Sequence, residues 1–201
     1  MLKTDVLTLG DYQTNCYILS SSGEKTCCVV DPGYEPETIL SFLEEKGLTL
    51  GAILLTHGHF DHVGAVRLLA AETGCRVYLC KEDLALPPML TDGALYYTDS
   101  YQDGDTLSLW GLTIRVLQTP GHTPGSVCLL AENCMFSGDT LFAGSCGRTD
   151  FKGGDQQAMM ASLKKLGQLP GNLRVLPGHM EESTLDAERQ VNPWMREALK
   201  A

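Results

Sequence analysis

Apolar residues open the chain in short runs: Val6-Leu7-Thr8-Leu9, then Cys16-Tyr17-Ile18-Leu19, then Cys27-Cys28-Val29-Val30. Gly, Asp and Ser separate them, so they predict three strands, the last closed by the turn Asp31-Pro32-Gly33. The period then changes. Pro36 followed by Ile39, Leu40 and Leu43 predicts a helix that stops near Gly47. Ala52 to Leu55 predicts a short buried strand, and Asp61 to about Glu72 one helix with Val63, Val66 and Ala70 inward, ended by Gly74. After a strand at Val77-Tyr78-Leu79 come a short helical piece and a loop rich in Pro, Asp and Tyr. Strand patterns return at Leu107–Leu109, Leu112–Leu117, Ser126–Leu130 and Met135-Phe136. A helix from Asp155, its cap, to Gly167 carries Met159, Leu163 and Leu166 on one side as core contacts. A strand at Leu173–Leu176 and a final helix complete the pattern. Each half runs strands, helix, strand, with Asp31 and Asp139 each at a strand end, which resembles an internal duplication in pattern alone. The expected fold is α/β: two mixed sheets packed face to face with helices outside. No linker divides residues 1–201, so a single domain is expected.

Composition narrows the function. Hydrophobic content of 43% is ordinary for a globular chain. The formal net charge of -10 argues against nucleic acid, whose binding rests on basic side chains. The N-terminus lacks an apolar signal core and no run approaches membrane-spanning length, so a cytosolic protein without a membrane partner is expected. Eight cysteines form no Cys-x-x-Cys pair and several lie in apolar runs, which predicts buried reduced thiols. Cys146 stands apart in a glycine-rich loop.

The histidines carry the chemistry. All five fall in three segments: His57, His59 and His62 in Thr56-His57-Gly58-His59-Phe60-Asp61-His62, His122 in Pro120-Gly121-His122-Thr123-Pro124-Gly125, and His179 in Pro177-Gly178-His179. Imidazole is the commonest metal-binding side chain, and here none is used elsewhere. Asp61 would ordinarily be a helix cap, and Asp139 in Ser137-Gly138-Asp139-Thr140 a turn residue. Beside these histidines both are expected to be ligands. Seven donors exceed one four-coordinate ion and suit two divalent metals with a bridging carboxylate. Two such ions would bring the formal charge to about -6. Asp31, in Asp-Pro-Gly, is an ordinary turn residue or one that orients a ligand.

Together, Thr-His-x-His-x-Asp-His, Gly-His-Thr-Pro-Gly, Ser-Gly-Asp-Thr-Leu-Phe and Pro-Gly-His resemble the metallo-β-lactamase superfamily, over nearly the whole chain. The resemblance implies a four-layer αβ/βα sandwich. Within the superfamily the chain is most similar to small glyoxalase II-like (hydroxyacylglutathione hydrolase-like) proteins, since Asp139 stands where true β-lactamases place Cys. The resemblance puts His57, His59 and His122 on one metal and Asp61, His62 and His179 on the other, with Asp139 bridging. It makes Asp61 and Asp139 the catalytic carboxylates. Zinc is expected, with iron or manganese as alternatives. Water shared by two cations and a polarised carbonyl would hydrolyse a thioester, whose thiolate, with a pKa of about 8.5, leaves without prior protonation. S-(2-hydroxyacyl)glutathione or a related acyl-thiol is the expected substrate; another ester or lactone fits less well. Arg148 matches in position a basic residue that contacts glutathione in relatives, yet suits a surface salt bridge equally. The chain ends soon after His179, so the glutathione-binding helical domain of glyoxalase II is not expected. The competing reading is a persulfide dioxygenase with one iron on His57, His122 and Asp139, since such proteins share Gly-Arg-Thr-Asp-Phe. Spacing says nothing of oligomeric state.

Overall fold

A computed structural model describes residues 1–200. Three strands, β1 (Leu2–Leu9), β2 (Thr14–Ser21) and β3 (Thr26–Val30), form an antiparallel meander. Helix α1 (Pro36–Lys46) then returns the chain to β4 (Thr49–Leu54), parallel to β3. Helices α2 (Phe60–Val63) and α3 (Val66–Thr73) lead to β5 (Arg76–Leu79) and, after two short 3-10 turns, to β6 (Asp99–Ser100). These six strands make one sheet in sequential order. The second sheet begins with β7 (Thr106–Leu109), β8 (Leu112–Gln118), β9 (Val127–Ala131) and β10 (Cys134–Gly138), all antiparallel. A small hairpin of β11 (Leu141–Phe142) and β12 (Ser145–Cys146) precedes α4 (Gln156–Gly167). Strand β13 (Arg174–Pro177) then pairs parallel to β10, β14 (Ser183–Thr184) borders it, and α5 (Leu185–Val191) and α6 (Pro193–Ala198) end the fold. The two halves therefore follow the same path, a meander and then a helical crossover to a parallel strand.

Alternation along the buried strands builds three apolar layers. In β3, Cys27 and Val29 face α1 and α3, whereas Cys28 and Val30 face the second sheet. In β10 and β13, Phe136 and Leu176 point between the sheets, and Met135 and Val175 point to α4–α6. Met159, Leu163 and Leu166 of α4 are fully buried in this outer layer, as their spacing predicts. The result is helix, sheet, sheet, helix.

Two helices differ from the pattern. The one expected over 61–72 is divided at Gly64–Ala65, where Ala65 N–H donates to Pro32 O at 3.0 Å. The final helix is divided at Asn192-Pro193: the Asn192 side chain accepts from Trp194 N and Met195 N, and Pro193 opens α6. Strands β6, β11, β12 and β14 have two residues each, too few for periodicity to show. Among the described residues no helix is long and apolar enough to cross a membrane.

Candidate metal centre

Every loop that bears a site residue leaves the C-terminal end of a strand: β4 for His57 to His62, β8 for His122, β10 for Asp139 and β13 for His179. The seven residues converge. Ring and carboxylate atoms of His57, His59 and His122 lie within 4.8 Å of one another, as do those of Asp61, His62 and His179. Asp139 stands between the groups, with Oδ1 3.4 Å from His62 Nε2 and Oδ2 3.4 Å from His122 Nε2 and 3.6 Å from His179 Nε2.

Hydrogen bonds outside the cluster set the tautomers. His122 Nδ1–H donates to Arg148 O (2.7 Å), His179 Nδ1–H to Tyr12 O (3.1 Å) and His62 Nδ1–H to Asp31 Oδ2 (3.0 Å). Thr56 Oγ1 gives its hydrogen to Asp31 Oδ2 at 2.6 Å and so accepts from His57 Nδ1 at 3.1 Å. All four rings therefore turn Nε2 inward, and the Nε2 atoms of His62 and His179, 3.3 Å apart, need a proton or cation between them. His59 is reversed: its Nδ1 lies 2.8 Å from His122 Nε2, a pair of ring nitrogens that needs a proton or cation between them. The buried atoms His57 Nε2, His59 Nε2 and Asp139 Oδ1 have no hydrogen-bond partner. Inward lone pairs without partners, next to carboxylates, are what divalent cations require, so these residues fit a two-metal centre.

The electrostatics divide the same way. Burial and the neighbouring rings push His57 well below its usual pKa, and burial with His122 takes His59 down to about 4, so both rings stay neutral. Burial opposes charge on His62 too, but Asp139 and Asp31 outweigh it and lift the ring to about 9. His179 is raised against burial by its hydrogen bond to Asp61. Burial pushes the Asp61 carboxyl up, but His179 and His62 hold it at about 2. Three carboxylates around two imidazoles call for positive charge.

Asp31 does what an orienting residue should. Its Oδ1 accepts from Thr56 N at 2.8 Å, while Oδ2 takes the Thr56 hydroxyl and the His62 ring. Asp83, unmarked by any motif, was missed. It is fully buried, and its Oδ2 accepts from Gly58 N (2.7 Å) and Thr123 Oγ1 (2.9 Å), its Oδ1 from Gly125 N (2.6 Å). It thus fastens the His57–His59 loop to the His122 loop. A Cβ on Gly125 would lie 2.7 Å from the Asp83 carboxyl carbon, which accounts for glycine there. Gly178 is needed for a like reason: a Cβ would stand 2.4 Å from Asp139 Oδ1 and 2.6 Å from His62 Cε1.

The centre opens into a cleft of about 580 Å³, walled by Tyr12, Phe60, Leu90, Phe142, Phe151 and Met180 and including Cys146 and Arg148. Burial raises the Cys146 thiol to about 11, so it is not a thiolate at neutral pH. Arg148 is mostly exposed and forks onto Asp150, with Nε and one terminal nitrogen each 2.7 Å from a carboxylate oxygen.

The model of the metallo-beta-lactamase superfamily matches residues 9–179. The chain belongs to this superfamily. Among curated metallo-beta-lactamase relatives it is 32% identical to hydroxyacylglutathione hydrolase GloC of Haemophilus influenzae, over 96% of this chain and 98% of that one. Solved structures of the fold agree. BLEG-1 B3 metallo-beta-lactamase superposes with a TM-score of 0.88 at 35% identity, covering 97% of this chain and 99% of that one. TTHA1623 in a di-iron-bound form gives 0.83 at 38% identity, with 94% and 99% covered. ETHE1 from Myxococcus xanthus gives 0.84 at 28% identity, with 95% and 83% covered. The αβ/βα sandwich expected from the resemblance is the fold found, and the chain is a member of a metallo-hydrolase superfamily.

Proposed function

We propose that this protein hydrolyses thioesters with two divalent metal ions, zinc foremost, held in the cleft. One observation carries the reading: two donor groups, each with lone pairs turned inward, share Asp139 between them. His57, His59 and His122 would hold one ion, and Asp61, His62 and His179 the other. The ions would supply a water nucleophile at neutral pH and polarise the carbonyl it attacks. The chain's own part is to fix the donors: Asp31 and Thr56 hold His57 and His62, the Tyr12 carbonyl holds His179, and Asp61 and Asp139 carry the compensating charge. Phe60, Phe142 and Phe151 offer apolar surface against which an acyl group would pack. A thioester suits this cleft because its thiolate departs without prior protonation. The similarity to GloC supports this reading, with S-(2-hydroxyacyl)glutathione or another acyl-thiol as substrate. Eight unpaired thiols fit a reducing, cytosolic setting, and the net charge of -10 fits a small-molecule partner rather than nucleic acid.

The similarity to ETHE1 favours a second reading, a dioxygenase with one iron on His57, His122 and Asp139. Elemental analysis together with thioesterase assays separates them. Two ions per chain, with Asp139→Ala losing both metal and turnover, is the expected result. One iron per chain and oxygen consumption with a persulfide would install the dioxygenase, and full thioesterase activity without metal would remove both readings.

A further inference from the structure

Among the described residues Arg148 is the one Lys or Arg that lines the cleft. Its charge is already engaged. The guanidinium fork is taken up by both oxygens of Asp150, and its plane lies 3.9 Å from the centroid of the Phe151 ring. Phe151 in turn meets the His59 ring edge-on at 6.0 Å, so the stack leans on the metal centre. Beyond the metal donors, Ser145 and Cys146, the rest of the wall is apolar or aromatic: Tyr12, Phe60, Leu90, Phe142 and Met180. Glutathione, by contrast, carries two carboxylates and one ammonium, and would find no unengaged Lys or Arg on the cleft wall.

We infer that the cleft selects acyl-thioesters whose thiol half is uncharged and apolar, and that Asp150 sets this preference by occupying Arg148. The inference rests on the thioesterase reading and narrows it. The reaction is ordinary hydrolysis: water adds to the carbonyl, the C–S bond breaks, and the products are a carboxylic acid and a thiol.

Two ligand pairs test it, each differing only in the thiol. One is S-hexylglutathione against the uncharged S-hexyl-N-acetylcysteamine, neither of which can be hydrolysed, compared by calorimetry on the metal-loaded protein. The other is the same acyl group on glutathione and on N-acetylcysteamine, compared by kcat/KM. The wild type is expected to favour the uncharged member of each pair, and equal treatment of the two overturns the inference. Asp150→Asn frees the arginine and should shift both ratios towards glutathione by about three- to tenfold, a modest factor because the pair is exposed. Adding Arg148→Gln should cancel that shift. A wild-type preference for the glutathione ligand, or ratios that Asp150→Asn moves by less than twofold, overturns the inference. Selective binding of the uncharged thioether with neither thioester cleaved would instead sink the hydrolase reading and leave the selectivity standing.

Discussion

Asp83 never faces the cleft, yet both loops of the first donor group hang on it. Its partners lie 25, 40 and 42 residues away, at Gly58, Thr123 and Gly125. That separation is why it could not be read from the chain: within Lys81-Glu82-Asp83 it is one more polar residue in a helical turn, and no spacing sets it apart from Glu82. Asp31 was easier, since it closes a strand in a recognisable turn, and the fork of Asp150 onto Arg148 shows only once the side chains are placed. Replacing Asp83 by Ala strands two buried N–H groups and a hydroxyl. The variant should lose roughly 2–4 kcal/mol of folding stability in chemical denaturation. It should also bind the ion at His57, His59 and His122 about 10- to 100-fold more weakly in competition with a chelator, as loss of supporting hydrogen bonds does at other metal sites. Asp83→Asn keeps one acceptor oxygen and should fall between. Asp83→Ala with wild-type stability and metal affinity would show that the bridge is idle.

At the scale of elements, the long strands and α1 and α4 were legible because each carries its own period: alternation in β3, and a one-sided stripe in α4. The donor motifs were legible for the same local reason, since His, Gly and Asp crowd into a few short segments. What the chain hides is where one element touches another. The apolar stripe of Val63, Val66 and Ala70 continues across Gly64, so periodicity alone predicts an unbroken helix. The structure divides it because the Asp31-Pro32-Gly33 turn takes the Ala65 N–H and presses against α2. A Cβ on Gly33 would sit 1.7 Å from Asp61 O, and one on Gly64 would sit 2.3 Å from Gly33 O. Gly33→Ala must therefore displace α2, with Asp61 and His62. We expect a loss of about 1–3 kcal/mol and a chain that retains only one of two ions by elemental analysis. Gly74→Ala is the control: its φ of 68° strains an alanine, but no atom lies within 4 Å of the new methyl. It should cost about 1 kcal/mol and leave the metal count unchanged. Equal metal content in the two variants would mean that α2 is not held by this contact.

Over the whole molecule, the two sheets bring together charges that the chain keeps apart. His62 is fully buried beside Asp31, Asp61 and Asp139, while His57, next to it, is kept neutral. The two kinds of histidine give opposite pH dependences. A ring raised from 6.5 to about 9, as in His62, stabilises the metal-free fold fully below pH 6.5 and ceases to do so as pH climbs towards 9. His179 acts in the same sense. Rings depressed below 6.5, as His57 and His59 are, stabilise the fold above that value relative to acid and lose this as pH falls, His59 over the range down to about 4. The metal-free protein should therefore be most stable near pH 6.5 and decline on either side, His62 alone accounting for on the order of 3 kcal/mol by pH 9. Divalent ions should invert the alkaline limb. An ion at His62 needs the deprotonated Nε2, so its affinity must rise with pH to about 9 and then level off, and the loaded protein should gain stability over the range in which the metal-free protein loses it. Urea denaturation of both forms from pH 5 to 9 reads this directly. A metal-free curve flat between pH 6.5 and 9, or metal affinity indifferent to pH over that span, would show that protons and cations do not compete for His62.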